Sequence, residues 1–278
     1  MAITNFIPEL WAANLLELWN AENVVAPLVN REYEGLATKG NTVHITGIVA
    51  PTVTDYKAAG RVTTAAAVTD TSVDLLIDQE KSTDFYVDDI DRAQAAGALT
   101  AYTTAAAYAL AADTDSFLCN LMVDNGTPLG GALPGSGDTD AAEDAFNLIR
   151  DARKALNKAN VPSDNRVILC NAEFEAALLG AAAKITKVDE SGDSNGLRNA
   201  TLGRILDFRI VTSNHLPEED SFQFLAFHPR AVAFVSQIDQ VEALRAENKF
   251  ADRARALHVY GGKVVRPEGV LVFNQAGT

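Results

Sequence analysis

The chain has 278 residues, 47% of them hydrophobic, and a mean hydropathy of +0.00, so it holds enough apolar material for one large domain or two smaller ones. This composition predicts a folded, water-soluble protein. The formal net charge of -14 argues against a protein that grips nucleic acid through a basic face, because phosphate binding needs clustered lysine and arginine. Acidity is also a common route to solubility, so charge alone assigns no partner.

The N-terminus reads MAITNFIPELW and lacks the basic start and apolar run of a signal peptide. The two cysteines, Cys119 and Cys170, are too few for a disulfide framework. We therefore expect cytosolic synthesis and two reduced, buried thiols.

The first predicted element is a short amphipathic helix near the N-terminus, with Pro8 in its first turn after Asn5 as a cap. It contains both tryptophans of the chain, which is an unusual amount of apolar surface close to a terminus. The helix either folds back on its own core or forms an arm that docks on a neighbouring subunit. In the second interpretation the candidate contacts are Phe6, Trp11, Leu15 and Trp19.

Two strands are predicted next, on either side of a long connection. Val43 and Ile45 alternate with polar residues in NTVHITGIVAPTV, and Val73, Leu75 and Ile77 do the same in SVDLLIDQE. The connection TDYKAAGRVTTAAAVTDT is polar and small, with little to bury on itself. It is therefore either a mobile loop or an arm that packs on another chain.

An alanine-rich segment then predicts a long, slim helix from about residue 88 to 123, roughly 50 Å long if unbroken. Its weakly apolar residues, with Asp91 and Arg92 before them, exclude a membrane span. The alternative to an unbroken helix is a bend or interruption at Asp113 and Asp115. The acidic residues at the predicted start are explained as favourable charges at the helix N-terminus: Asp84, Asp88, Asp89 and Asp91.

The Gly- and Pro-rich run from 125 to 140 predicts a connector between two subdomains. Beyond it, Phe146, Ile149, Arg153 and Leu156 have the spacing of an amphipathic helix, and the strand RVILC follows. A further helix begins after Asn171, the predicted cap. Four strand-like segments complete an α+β pattern: RILDFRIVTS, FQFLAFH, AVAFVSQI and HVYGGKVVRPEGVLVF.

No pattern of catalytic, cofactor-binding or metal-binding residues emerges. The four histidines have no metal-ligand spacing, the Gly-rich run lacks the GK[ST] ending of a phosphate loop, and no serine lies in GxSxG. DESGDSNG, from Asp189 to Gly196, is similar to the start of a calcium loop, but Leu202 stands where the bidentate glutamate belongs. We therefore expect a protein that is not an enzyme.

The segment from 227 to 273 resembles the closing part of tailed-bacteriophage major capsid proteins of the Hong Kong 97-type fold. The resemblance rests on an ordered set of motifs: His228-Pro229-x-Ala231-Val232, the charged segment around Glu242 and Arg245, Phe250-Ala251-Asp252, Tyr260-Gly261 and Arg266-Pro267-Glu268. The rest of the chain fits the same family. The resemblance implies an N-terminal arm at 1–40, an extended hairpin called the E-loop at 41–87, a P-domain spine helix at 88–125, an A-domain at 126–222 and returning P-domain strands at 223–278.

The same resemblance implies a structural protein that self-assembles through pentamers and hexamers into an icosahedral shell around phage double-stranded DNA. Its partners would be further copies of itself, with separate scaffolding, portal and decoration proteins, and neither a membrane nor a specific DNA sequence. It would be made in the bacterial host cytoplasm and reside in the virion capsid. The E-loop contacts would be Tyr56, Lys57 and Arg61.

Some members of this capsid family crosslink their subunits covalently by a Lys–Asn isopeptide bond. Lys57 is the only lysine near the hairpin tip, but neither an asparagine partner nor a catalytic glutamate matches a motif, so an ordinary surface lysine is the simpler interpretation. Two other functions remain open: an encapsulin-like microbial compartment, which shares the fold, and an enzyme with an acidic cleft.

Overall fold

The computed structural model describes residues 23–36, 40–48, 53–58, 60–62, 70–88, 99–131, 133, 141–179, 204–217, 221–246 and 249–275. Helices within these ranges are α1 (Leu99–Asn125), α2 (Ala141–Lys158) and α3 (Ala172–Leu178). The strands are β1 (Thr42–Ile48), β2 (Asp70–Leu76), β3 (Gln79–Asp88), β4 (Thr127–Pro128), β5 (Val167–Cys170), β6 (Arg204–Ile205), β7 (Phe208–Thr212), β8 (Phe222–Phe227), β9 (Val232–Arg245), β10 (Ala251–Val264) and β11 (Val270–Gln275).

A six-stranded mixed sheet, in the order β4-β11-β8-β5-β7-β6, forms the centre of the fold. Its central strands β8 and β5 are buried on both faces, as the continuous apolar run of β5 requires. Leu169 lies in a core cluster with Leu118 and Met122 of α1, whereas its neighbour Ile168 lies in a second cluster with Ile149 of α2. The pleat of each strand therefore sends alternate side chains to α1 on one face and to α2 and α3 on the other.

A second, three-stranded antiparallel sheet has the order β3-β10-β9. Two adjacent glycines of β10 bring its neighbours close. A Cβ on Gly261 would lie 2.1 Å from the carbonyl oxygen of Leu76, and one on Gly262 would lie 3.1 Å from Leu121 and 3.2 Å from Phe117. The glycine pair thus lets the end of β2 approach one face of β10 while α1 approaches the other.

The β1–β2 hairpin packs against β10 of this sheet, around Val259 and Gly261. The two strands are antiparallel, with Val43 opposite Leu75 and Ile45 opposite Val73. Of the five residues predicted to alternate with polar ones, four are buried together with Val259 of β10, namely Val43, Ile45, Leu75 and Ile77, and Val73 is half-buried. The alternation read from the sequence is therefore confirmed.

Two predicted boundaries are wrong. Asp88 is the last residue of β3, so the long helix does not begin there, and its described part starts at Leu99. The predicted single strand SVDLLIDQE is two strands, because the chain leaves β2 after Leu76 and joins a different sheet as β3. Asp84 is consequently a strand residue paired with β10, whereas Asp89 and Asp91 lie outside the described residues.

α1 runs without a break through Asp113 and Asp115, and its 27 described residues span about 40 Å. The predicted cap is confirmed, since the Asn171 side chain accepts a hydrogen bond from the Phe174 backbone N–H at the start of α3. RILDFRIVTS is a hairpin, β6–β7, and not one strand. The N-terminal helix and the loop containing DESGDSNG lie outside the described residues. No helix in the described ranges is both long and apolar enough to cross a membrane.

Candidate assembly surfaces

The tip of the β1–β2 hairpin is an ordered turn. The Asp55 carboxylate accepts hydrogen bonds from the backbone N–H groups of Lys57 and Ala58, at 2.9 and 3.2 Å. The backbone N–H of Arg61, a residue with a left-handed φ of 63°, donates to the Tyr56 carbonyl at 2.9 Å. These hydrogen bonds fix the backbone that carries the three predicted E-loop residues, Tyr56, Lys57 and Arg61.

This tip exposes apolar side chains as well as cations. Val53 is 95% exposed, Val62 68% and Tyr56 55%. The one carboxylate of the described turn, that of Asp55, is already engaged by backbone N–H groups. A turn that is fixed by hydrogen bonds and exposes apolar and basic side chains is suited to bind the surface of a partner.

The three-stranded sheet has an outer face that points away from α1. In β10, His258 is on the side of α1, with its ring nitrogen 3.4 Å from the Thr114 hydroxyl, and strand alternation puts Arg253 and Arg255 on the opposite side. Cross-strand partners on this outer face form two rows, Tyr86–Arg253–Leu244 and Asp84–Arg255–Glu242.

Ion pairs tie the rows together. The Arg253 Nε lies 2.8 and 3.1 Å from the two carboxylate oxygens of Asp84, and the Arg255 Nε lies 2.8 Å from Glu242. The Arg253 guanidinium holds the pKa of Asp84 below its usual value, and Asp84 in turn raises the pKa of Arg253. The charges of the outer face are thus largely balanced within the subunit.

Apolar groups remain exposed on or beside the outer face. Tyr86 is 54% exposed, and the Arg253 guanidinium and Lys249 ammonium lie 5.5 and 5.7 Å from its ring centre. Phe250, in the turn between β9 and β10, is 83% exposed. Because the charges of this surface already pair with one another and its other exposed groups are apolar, another protein can cover it without burying an unpaired charge.

The chain entering the body from the N-terminal segment is fixed to α1. The buried Asp115 carboxylate accepts hydrogen bonds from the backbone N–H groups of Val24, Val25 and Ala26 at 2.7, 3.0 and 3.0 Å. The backbone N–H of Asn30 then donates to the Val232 carbonyl at 3.0 Å. The predicted arm residues Phe6, Trp11, Leu15 and Trp19 precede this anchor and lie outside the described residues.

A polar network joins α1 to the face of the three-stranded sheet β3-β10-β9 that lies towards this helix. The buried Tyr260 hydroxyl donates to Asp113 at 2.6 Å, and the Lys81 ammonium lies 3.7 Å from the same carboxylate. Burial, together with Asp113, raises the pKa of Tyr260. The His258 Nε2 lies 3.0 Å from the Ser236 hydroxyl. These contacts lock helix and sheet together.

The described residues hold no cluster of three side chains that could bind a metal ion. His44 sits beside Asp74 on the exposed hairpin, His228 caps a short turn, and His215 and His258 each contact a serine. Both cysteines are buried and free, as predicted, and burial raises the pKa of Cys170 to about 12. Each histidine thus has a polar partner within the chain, and burial disfavours the thiolate form of both cysteines.

Residues 72–273, more than two thirds of the chain, match the sequence model of the family described as phage capsid protein. The chain belongs to the phage capsid protein family. A solved structure from Mycobacterium phage Che8 is 61% identical over all of both chains, with a TM-score of 0.91. No curated protein matches the chain significantly.

More distant structures share the fold. The capsid structure of cyanophage P-SCSP1u is 17% identical, covers 100% of this chain and 95% of its own, and has a TM-score of 0.81. The mature capsid of bacteriophage PhiM1 is 12% identical, covers 98% and 93%, and has a TM-score of 0.76. The α+β, Hong Kong 97-type fold implied by the resemblance is confirmed.

Membership in the phage capsid protein family makes this chain a structural protein of the virion capsid that self-assembles into a shell. Sequence reasoning missed the outer sheet face and the Asp115 anchor. The alternation of Arg253, Arg255 and Leu257 in DRARAL could have revealed the outer face. A buried carboxylate inside a helix leaves no comparable pattern, because its partners are backbone groups 90 residues away.

Proposed function

We propose that this phage capsid protein assembles as pentamers and hexamers into an icosahedral shell that encloses phage double-stranded DNA. The observation that carries the proposal is the ordered, exposed hairpin tip of Tyr56, Lys57 and Arg61, on a chain 61% identical over its whole length to the Mycobacterium phage Che8 structure. A tip that reaches beyond its own subunit can repeat one contact around rings of five and of six.

The division of labour within the subunit follows the family organisation. Neighbouring subunits are bound by the part of the N-terminal arm (1–40) that precedes the Asp115 anchor, with Phe6, Trp11, Leu15 and Trp19 as its contacts, and by the tip of the E-loop hairpin (41–87). The P-domain segment 88–125, which contains α1, the A-domain (126–222) and the returning strands (223–278) form the body of the subunit. The buried Asp115 supports this division, because its hydrogen bonds fix the position at which the arm leaves the body of the subunit.

The partners of the proposed shell are further copies of this chain, separate scaffolding, portal and decoration proteins, and DNA held without sequence-specific contacts. The net charge of -14 supports an inner shell surface that does not bind the phosphates of the enclosed DNA. The protein performs no catalysis and needs no cofactor, and it is made in the bacterial host cytoplasm.

The test is electron microscopy of the purified full-length chain, alone and coexpressed with the phage's scaffolding protein. Closed shells with rings of five and six support the proposal, whereas a persistent monomer under both conditions contradicts it. Particles recovered from infected cells distinguish the alternatives, because a phage capsid contains DNA and an encapsulin-like compartment contains protein cargo.

A further inference from the structure

The outer face of the three-stranded sheet carries apolar side chains that its own subunit leaves open. Tyr86 and Leu244 lie in one cross-strand row with Arg253, and Leu257 lies on the same face of β10, four residues beyond Arg253. All three apolar side chains are exposed, and so is Phe250 in the adjoining turn. We call Tyr86, Leu244 and Leu257 the outer patch.

Part of the same face is already covered within the subunit. Val259, two residues beyond Leu257 in β10, is buried in one apolar cluster with Val43 and Leu75 of the β1–β2 hairpin. The exposed fraction is 8% for Val259 and 38% for Leu257, so the cover that the hairpin provides ends between these two residues. The outer patch therefore continues a surface that already buries apolar side chains.

The charges around the outer patch favour an acidic partner. The two arginines of this face are neutralised by Asp84 and Glu242. The Lys249 ammonium lies 5.7 Å from the centre of the Tyr86 ring, and no carboxylate of the described part of the chain pairs with it. A partner that covers the patch thus meets one unpaired positive charge beside apolar groups.

The segment 1–22 has the matching composition. It contains three glutamates and neither lysine nor arginine. Trp11 and Trp19 are predicted to lie on one face of a helix, where eight residues separate them by about 12 Å. The outer patch has a similar length, because the four residues from Arg253 to Leu257 span about 14 Å of β10.

The path of the chain favours the segment of a neighbouring subunit over the subunit's own. Asp115 of α1 fixes Val25, so the segment leaves the body on the side of the sheet that faces α1. From there the chain passes the edge of β9, where the Asn30 N–H donates to the Val232 carbonyl, and reaches the hairpin on the outer face. The segment of the same subunit would have to pass round the sheet a second time to reach the outer patch.

The hairpin tip of a neighbour fits the outer patch less well. Lys57 and Arg61 are basic, and the Asp55 carboxylate of the tip is engaged by backbone N–H groups. Binding of the tip would bring these cations close to Lys249 and to the two arginines of the outer face. Like charges brought together in this way oppose association.

We propose that the outer patch of one subunit binds residues 1–22 of a neighbouring subunit in the shell, with Trp11 and Trp19 on its apolar side chains and the glutamates towards Lys249. The inference rests on the proposed shell function and identifies the surface that receives the N-terminal arm. Burial of two indole rings against exposed apolar side chains supplies the free energy of the contact.

Binding of a synthetic peptide of residues 1–22 to the unassembled, full-length subunit tests the contact. The peptide carries a fluorescent label, and its anisotropy measures the dissociation constant. Leu244→Glu puts a negative charge into the patch and is expected to weaken binding at least about tenfold. Tyr86→Ala is expected to weaken it as well, whereas the matched control Tyr108→Ala, at a similarly exposed tyrosine of α1, leaves it unchanged. Circular dichroism checks that each variant is folded.

Crosslinking in assembled shells identifies the subunit that supplies the segment. Ala12→Cys places a thiol on the segment, and Ser82→Cys places one beside the patch, because Ser82 is the exposed cross-strand neighbour of Leu257. Both natural cysteines are buried, so a short bismaleimide joins the introduced thiols. Covalent dimers and larger multimers are expected. Ala58→Cys in place of Ala12→Cys reports on the hairpin tip and is expected to give none.

Peptide binding that Leu244→Glu and Tyr86→Ala leave unchanged overturns the contact and leaves the shell function intact. Crosslinks confined to single chains overturn it in favour of a segment folded on its own subunit. Multimers from Ala58→Cys, without multimers from Ala12→Cys, overturn it in favour of the hairpin tip. Failure of wild type to assemble, with or without scaffolding protein, overturns the shell function, and the peptide measurement still decides whether the patch recognises the segment.

Discussion

The Asp115 carboxylate lies 3.0 Å from the backbone nitrogen of Val25, a residue 90 positions earlier in the chain. The same carboxylate binds the backbone N–H groups of Val24 and Ala26. Asp115 and Val25 are 1% and 0% exposed, so water cannot replace the hydrogen bond between them. The pair decides where the N-terminal segment meets the body of the subunit.

Replacement of Asp115 by alanine should therefore be costly. It leaves three backbone donors without their acceptor, one of them fully buried and two partly buried, and we expect the free energy of unfolding to fall by about 3 kcal/mol. Urea denaturation of the unassembled subunit measures the change. Asp124→Ala, at an exposed position of the same helix, is the control and should change stability by less than about 0.5 kcal/mol. Equal effects of the two substitutions would contradict the anchor.

Gly261→Ala tests the close approach of the hairpin to the sheet. The new methyl group would lie 2.1 Å from the Leu76 carbonyl oxygen, so the end of β2 must move away from β10. We expect a loss of about 1–3 kcal/mol in the free energy of unfolding. Gly130→Ala meets nothing within 4 Å and is the matched control. Thermal unfolding of both variants measures the difference, and an unchanged Gly261→Ala protein would show that the approach is not a constraint.

The sequence predicted elements whose apolar spacing is regular and failed where long-range contacts decide. The burial of Ile149 and Leu156 on α2 follows from helical periodicity. The end of β2 at Leu76 could not be predicted, because nothing local separates SVDLL from IDQE. The next strand leaves for another sheet because β10 offers it a partner. Asp84 was misassigned for the same reason, since its partner Arg253 is 169 residues away.

The Arg253–Asp84 pair predicts a specific pH dependence. Arg253 lowers the folded-state pKa of Asp84, so the stabilisation is present above the unfolded pKa of about 3.9 and is lost as pH falls through the lower folded pKa. In Arg253→Ala we expect the pKa of Asp84 to rise towards its usual value. Carbon-13 NMR of the Asp84 carboxyl in the unassembled subunit measures both titrations. The pair is exposed and screened by solvent, so Arg253→Ala should change the stability of the subunit little. A titration unchanged by the substitution would contradict the pairing.

The hairpin tip predicts a separation of assembly from folding. Tyr56→Ala removes an exposed ring that makes none of the hydrogen bonds of the turn, because these use the Asp55 side chain and backbone groups. We expect subunit stability to stay within about 0.5 kcal/mol of wild type while the yield of shells falls several-fold. Tyr108→Ala, which removes another exposed tyrosine ring, from α1, is the control. Normal shells from the Tyr56→Ala chain, by electron microscopy, would remove the tip from the assembly contacts.

The N-terminal arm gives the last prediction. Asp115 fixes the chain at Val24–Ala26, so everything before that point can be removed without breaking the anchor. Deletion of residues 1–20, or Trp11→Ala alone, should therefore leave the subunit folded, with an unfolding temperature close to that of wild type. Assembly should be impaired, because an arm that carries both tryptophans stabilises the shell through burial on a neighbour. Thermal unfolding and electron microscopy of the same preparation distinguish the two interpretations of this helix. A helix packed on its own core would lower the unfolding temperature when deleted, whereas unimpaired shells from a stable, truncated chain would rule out the arm.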